Sequence, residues 1–409
     1  MCVNHGEASN LWKHLNLILY IVGIGLGVLV GLSEIVWLHH LGEQVTNIFI
    51  KLFKFISLPI ISLSIIVTFS QFSSSDKTMS SAWKRTLFYT VTTTIVAATI
   101  ACGLYVLIAP ENMHLANADS ARVNLGNGYM HYLGDIVPSN ILSPFVEHHI
   151  MGVLLISVVV GISLRYINDE GGRDAVKNFF KGSHGIFMVI TSWVIKIIPI
   201  GLFGFIVTTI LQVKKDGQSV GVIWKYLLVI FLANILQGFV VLPAWLKVNG
   251  FVPFKTMKQM MPALSLAFFS KTSTGTLPVT MRVIEENVGV NPKISRFILP
   301  LCTTVNMNGC AAFIFTTVIY LMQNNGTAID ASLLLIWIFI STIAAIGNAG
   351  VPMGCFFLSA SLLASMDVPI TLMAIILPFY SVIDMVETAL NVWSDSCVAI
   401  TVDHKEKSS

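Results

Sequence analysis

Apolar stretches of bilayer-spanning length follow one another through the first part of this chain, at 15–38, 46–69, 86–109, 145–166, 185–212 and 221–246. A helix needs about 20 such residues to cross the hydrocarbon core, so the pattern predicts six full spans. Composition agrees: 55% of the 409 residues are hydrophobic and 11% charged, with mean hydropathy +0.79, where an ordinary soluble domain has about 25% charged residues. Most of the chain must therefore face lipid or other apolar helices. The first run carries no small-residue cleavage site and is expected to be a retained helix. A net charge of +3 without any basic tract points away from nucleic acid. No nucleophile and base pair and no HExxH cluster suggests an enzyme or a resident cofactor. Cys2, Cys102, Cys302, Cys310, Cys355 and Cys397 show neither paired spacing nor a CxxC motif, so they read as small buried packers rather than a disulfide framework or a zinc site.

Beyond these spans the pattern changes. Residues 257–283 are apolar but broken by Pro262, Gly275 and Pro278, and the long span 294–322 is interrupted at Asn306–Gly309. The same order recurs in 332–366, broken by Gly347, Gly350, Pro352 and Gly354, followed by 369–402 with Asp384, Glu387, Asn391 and Asp395. Two broken apolar segments, each followed by a polar-interrupted span, are what an internal repeat around a transport site produces. Lys and Arg concentrate in alternate loops, at Lys77, Lys84 and Arg85, at Arg165 to Lys181, at Lys247 to Lys258, at Lys293 and Arg296, and at Lys405 and Lys407. That bias puts both termini on the cytoplasmic side only if 257–283 and 332–366 enter and leave by the same face. The expected fold is thus an all-α polytopic membrane protein of eight transmembrane helices plus two re-entrant helical hairpins in inverted repeats. The hairpin tips should meet in the interior, since irregular backbone at membrane depth needs protein or a wet cavity around it.

Asp384, Glu387, Thr388, Asn391 and Asp395 follow helical spacing along one face. A carboxylate near mid-membrane costs at least ~2.5–3.5 kcal/mol, so three of them call for a cavity, bound cations or partner cations. The run Lys271 to Thr276 is a hydroxyl-rich tip. Its amides suit a carboxylate at a helix N-terminus, with Ser273 best placed, although small-residue packing accounts for the stretch equally well. Asn306 to Gly309 with Thr304 offers neutral oxygens for a weakly held monovalent cation, or a simple kink. The tip 347–354 has few bulky side chains and can approach a ligand by backbone, then lift away.

These residues carry a resemblance. The run KTSTGTLPVTMRVIEE (271–286) resembles the serine-rich hairpin of the dicarboxylate/amino acid:cation symporter family, which includes glutamate transporters. It extends through LPLCTTVNMNGC (299–310) against that family's NMDGT motif, GNAGVP (347–352), and DMVETALNVWSD (384–395). Weaker similarity covers DIVPSN (135–140), KIIPIGLFGF (196–205) and KLFKFISLPI (51–60), so nearly the whole chain is included. The resemblance implies a homotrimer with an elevator-like movement of a transport domain. It assigns 1–69 and 110–246 mainly to scaffold and trimer contacts, 86–109 and 185–212 partly to the transport domain, and 257–402 to its core. It further implies that Asp384 binds a substrate ammonium, that Asn391 and the Ser273–Thr274 region hold the α-carboxylate, and that Thr388, Cys310, Val351 and Gly354 line the pocket. One sodium ion would lie between Asp395 and the carbonyls of Cys302, Asn306 and Asn391. A second would use Thr304 with carbonyls at Ala345, Ile346 and Asn348. A third would use Asn306 and Asn308 with Tyr89, Thr92 and Thr93.

Three departures from the family pattern bear on substrate. Glu387 stands where acidic-substrate carriers have an arginine fork, Asn308 replaces the aspartate of NMDGT, and Cys310 replaces its threonine. The run ETALN (387–391) is similar to bacterial serine/threonine:sodium symporters, which also lack the arginine. The expectation is sodium-coupled uptake of a small neutral amino acid, serine- or threonine-like, across a bacterial inner membrane. The alternative is a sodium- or proton-coupled glutamate, aspartate or C4-dicarboxylate symporter in which Lys271 replaces the missing arginine.

Overall fold

A computed structural model describes residues 19, 22–70, 77–113, 138, 140–146, 150–216, 223–346, 348, 353–366, 368 and 371–407. Among them every regular element is helical. Apart from short turns at Ser143–Val146, Leu164–Tyr166 and Ile284–Val288, they are in chain order α1 (Val22–Leu32), α2 (Val36–Ser70), α3 (Lys77–Ile108), α4 (Ile150–Ser163), α5 (Glu170–Asp216), α6 (Ile223–Val248, with a π-helical turn at Gln237–Val241), α7 (Pro253–Ser270), α8 (Ser273–Val283), α9 (Pro292–Val305), α10 (Asn308–Asn324), α11 (Ala331–Ile346), α12 (Gly354–Ser365) and α13 (Thr371–Lys407).

Four stretches among the described residues are long and apolar enough to cross a membrane: Ser81–Ile108, Ile223–Val248, Pro292–Asn324 and Ile375–Lys407. A fifth is the bent pair Glu170–Thr191 and Lys196–Thr208 within α5, turned by 53°. Pro199 lies one turn after this bend and accounts for it, because its ring cannot donate to, and clashes with, the carbonyl four residues back.

The helices sort into two groups by what they bury. α2 lies along α5 and α4, and small residues let them close: a Cβ at Gly204 would meet the Gly42 carbonyl at 2.8 Å, and one at Gly161 would meet the Ile66 carbonyl at 3.1 Å. The second group surrounds α10. That helix packs on α3, α6, α11, α12 and α13 and is buried all round from Asn308 to Met322. Its burial on every side, and not its apolar character, which would suit lipid as well, places it inside the other helices. Its sheath includes the stacked pair Tyr226 and Tyr320, with ring centroids 4.8 Å apart, and Tyr380 wedged between Phe313 and Phe356.

The chain breaks at polar residues, and not at every expected breaker: Pro262 is accommodated within α7, and Gly275 and Pro278 within α8. α7 ends at Lys271 in the left-handed conformation, with φ 56°, and α8 starts after Thr272, whose hydroxyl caps it by accepting the Gly275 N–H at 3.2 Å. α7 and α8 pack against one another over a wider range than 257–283, since a π-helical turn extends the second arm to Val288. The span after them is interrupted at Asn306–Met307, between α9 and α10. α11 and α12 both rest on α10, and the link between them runs through Asn348 and Met353, the latter at φ 62°. Gly347, Gly350, Val351 and Pro352 lie outside the described residues, as does most of 135–140.

A buried polar seam between two helix breaks

α13 is built from apolar residues except along one face, and packing that face against α10, α9 and α6 puts its polar groups out of reach of lipid. All five residues of the expected face are buried: Asp384, Glu387, Thr388, Asn391 and Asp395. The break at Asn306–Met307 faces its lower half. There Asn306 donates through Nδ2 to Asp395 Oδ1 and to Ser394 Oγ, each at 2.9 Å, and its Oδ1 accepts the Thr93 hydroxyl at 3.1 Å. Asn308 donates to the same Ser394 Oγ at 2.7 Å and accepts from the Thr94 hydroxyl at 2.9 Å. The Cys302 carbonyl accepts the Asn306 N–H at 2.8 Å, closing the last turn of α9 beside the acid.

One turn up, the Asn391 Oδ1 accepts the Gly309 N–H at 2.9 Å, and its Nδ2 reaches Cys310 Sγ at 3.4 Å. Glycine is required at 309, because an added Cβ would lie 2.9 Å from both Asn234 Oδ1 and the Glu387 backbone. Glu387 accepts from the Tyr380 hydroxyl at 3.3 Å through Oε2, while its buried Oε1 has no hydrogen-bond partner. Asp384 Oδ2 accepts the Met353 N–H at 3.1 Å, so the α11–α12 link docks on it, and the Thr388 hydroxyl caps the Asp384 carbonyl at 2.7 Å.

The α7–α8 turn reaches the same face from the other side. Lys271 Nζ donates to Ser381 Oγ at 2.5 Å, one turn before Asp384, and buried Ser273 donates to the Thr303 carbonyl of α9 at 3.4 Å. Thr274, half-buried, contacts the Thr272 hydroxyl at 3.1 Å. Lys271 forms no ion pair with Glu387. Thr304 bonds back to the Leu301 carbonyl at 2.9 Å, and Ile346 packs on the neighbouring Leu301 and Val305. The Ala345 carbonyl accepts the Asn348 N–H at 3.1 Å. Asn348 fills the space that Gly354 leaves open, since a Cβ there would collide with its Oδ1.

Some expected members lie elsewhere. Thr92 is exposed and bonds to the Phe88 carbonyl at 2.7 Å, and Tyr89 is half-buried against Trp245 at 5.3 Å between centroids. α3 turns Thr93 and Thr94 toward the break, leaving Thr92 on the opposite side. Val351 is outside the described residues. The cysteines need correction: Cys310 and Cys355 are not isolated packers but are joined sulfur to sulfur, with Cα atoms 5.5 Å apart. They are separated by 45 positions and meet only because α12 lies on α10, which no local spacing could announce. Cys102, Cys302 and Cys397 are free, and Cys2 is outside the described residues. Ser394, Thr94 and Asn234 were also missed. Ser394 had a signal, since it falls at i+10 from Asp384 and therefore on the same helical face.

An acid-lined seam holding interrupted helices around a fully buried span is the architecture of a membrane carrier, and comparison with known proteins decides which kind. Residues 17–405 match the sodium:dicarboxylate symporter family. The chain belongs to that family. It is accordingly a multi-pass membrane transporter and not an enzyme. Among similar proteins is rabbit (Oryctolagus cuniculus) neutral amino acid transporter B(0), 25% identical over 97% of this chain and 80% of that protein. The human neutral amino acid transporter A is 30% identical over 63% of this chain and 48% of its own length. The putative sodium-dependent excitatory amino acid transporter glt-4 of Caenorhabditis elegans is 31% identical over 65% of this chain and 53% of its own. The two more similar alignments thus span about half of those proteins.

Proposed function

We propose that this symporter carries a small neutral amino acid, serine- or threonine-like, into the cell together with sodium. The observation that carries the reading is the pairing on α13 of buried Asp384 with buried Glu387, which forms no ion pair among the described residues. Asp384 supplies the counter-charge for an ammonium group, and Asn391 with the Ser273–Thr274 turn supplies donors for the α-carboxylate. Glu387 then faces the side chain. It repels a second carboxylate and offers an unused acceptor to a hydroxyl. Thr388, Cys310, Val351 and Gly354 complete the pocket in this reading. Two relatives named as neutral amino acid transporters support it.

In the same reading sodium occupies the lower seam. Asp395 with the carbonyls of Cys302, Asn306 and Asn391 forms one site, and Thr304 with carbonyls of Ala345, Ile346 and Asn348 a second. A third would use Asn306 and Asn308 with Tyr89, Thr92 and Thr93, and the Thr93 hydroxyl, bonded both to Asn306 Oδ1 and to the Tyr89 carbonyl, supports that reading, while exposed Thr92 does not. The chain would comprise eight spans and two re-entrant hairpins, α7–α8 and α11–α12, in a homotrimer of a bacterial inner membrane with cytoplasmic termini. The α2, α4 and α5 group would be its scaffold, and the helices around α10 its moving elevator.

Lys271 favours a second reading. It reaches into the seam beside Asp384, and as a point cation it could receive an acidic side chain. Purified protein in liposomes with an imposed sodium gradient separates the two, using a labelled amino acid panel. Serine or threonine should compete best. Aspartate or succinate binding more tightly than serine would overturn the neutral reading.

A further inference from the structure

We propose that Cys310, Cys355 and Glu387 form, when the two cysteines are reduced, a binding site for a thiophilic divalent cation such as zinc or cadmium. The sulfurs and a Glu387 carboxylate oxygen all lie within 4.8 Å of one another, and all three residues are buried. Tetrahedral zinc with Zn–S bonds of about 2.3 Å spaces its ligands by about 3.7 Å, so once the S–S bond is cut, side-chain rotations part the two sulfurs and bring the carboxylate in. Two independent features point to a ligand. Glu387 Oε1 is 1% accessible as a residue and has no hydrogen-bond partner, and the buried Asn348 Oδ1 has none either. Asn348 Nδ2 already touches both sulfurs, at 3.0 and 3.2 Å, so its amide oxygen reaches the fourth position when the group turns over.

The joined sulfurs are the oxidised form of the site and cannot bind. Two equivalents of a small thiol reduce the S–S bond to two Cys–SH groups and leave as their own disulfide. The cation then displaces the two thiol protons, and two thiolates with one carboxylate face a charge of +2. The consequence is mechanical and competitive at once. The ligands come from the start of α10, the start of α12 and the middle of α13, so the cation ties these three helices together and occupies Glu387.

Cobalt(II) titration of the full-length protein in nanodiscs tests this, because thiolate coordination gives charge-transfer absorption that needs neither substrate nor sodium and is read separately from the amino-acid assignment. Reduced protein should bind one ion per chain with thiolate bands, and zinc should displace it. Oxidised protein should show no band, a comparison made on the unaltered chain. Cys355→Ser and Cys310→Ser should each lose the two-thiolate spectrum, Glu387→Gln should weaken binding by about tenfold or more, and Cys102→Ala, at a free cysteine outside the seam, should leave the spectrum unchanged. Thiolate bands that persist in oxidised protein or in Cys355→Ser, or affinity unaltered in Glu387→Gln, would overturn the proposal.

Discussion

Asp384 and Asp395 share one face of α13, yet their partners differ in kind. Asp384 accepts an N–H from the α11–α12 link at Met353, whereas Asp395 accepts the side-chain amide of Asn306 in a helix break. The first acid is therefore expected to serve the substrate and the second the coupling ion. Asp384→Asn should abolish amino-acid uptake, because a desolvated ammonium without its counter-charge loses several kcal/mol. Uptake retained by folded variant in liposomes would exclude that role. Asp395→Asn keeps an oxygen ligand but removes the charge, so sodium activation should shift to higher concentration while substrate affinity recovers at saturating sodium. An unchanged sodium activation curve would be the contrary result. Glu387→Arg should move preference from serine toward aspartate, and adding Lys271→Ser should relieve the new like-charge contact. Titration of both amino acids against the wild type, single and double variants reads this directly. The five-residue face of α13 was legible because lipid tolerates no such row of polar groups. The Thr93 and Thr94 contacts were not, because which of three consecutive threonines meets Asn306 depends on how α3 is rotated against α10.

Among the elements, the α7–α8 pair is tied to α9 at its far end as well as at its tip. Glu285, in the π-helical turn after α8, accepts from Arg296 Nε and Nη2 at 3.1 Å each and from Ser295 Oγ at 2.5 Å. Hydrogen bonds from Arg296 and then Ser295 hold its carboxyl below the usual carboxylate range. A depressed folded value means that this stabilisation is fully present above the unfolded carboxylate pKa of about 4.3 and is lost as pH falls through the lower folded value. Glu285→Gln should cost about 1 kcal/mol or less at neutral pH and should remove that share of the acid-side loss. Thermal unfolding of both proteins from neutral pH down to about 3 checks it. Identical acid-side slopes would show that the tie contributes nothing. The break at Asn306–Met307 was readable from Asn inside an apolar run, whereas the one at Lys271–Thr272 falls in the polar tip and not at the residues expected to interrupt the segment, since Pro262 lies within α7 and Gly275 and Pro278 lie within α8. The reach of α8 into its π-helical turn was not readable, because residues 284–288 contain no breaker.

At the scale of the whole molecule, ions that bind only the folded chain should stabilise it by mass action. Sodium at about a hundred times its dissociation constant adds about 2.7 kcal/mol, so Tm should rise with sodium but not with choline at equal ionic strength. The rise should shrink in Asp395→Asn. Equal Tm in the two salts would argue against any sodium site in the seam. One feature of the architecture also bears on how the protein is made. α10 has no outward side, yet it is synthesised after α3 and α6 and before α11, α12 and α13. When it leaves the ribosome, half of its eventual enclosure is already in the bilayer and the other half has not yet been translated. Its Phe313, Ile314, Phe315, Val318 and Ile319 let it wait in contact with lipid, and Thr317 already has its partner Tyr226 on α6, while the Asn308 amide waits for Ser394 of α13. The later helices must therefore arrive as a closing wall, and biogenesis is most vulnerable in the interval before α13 is inserted.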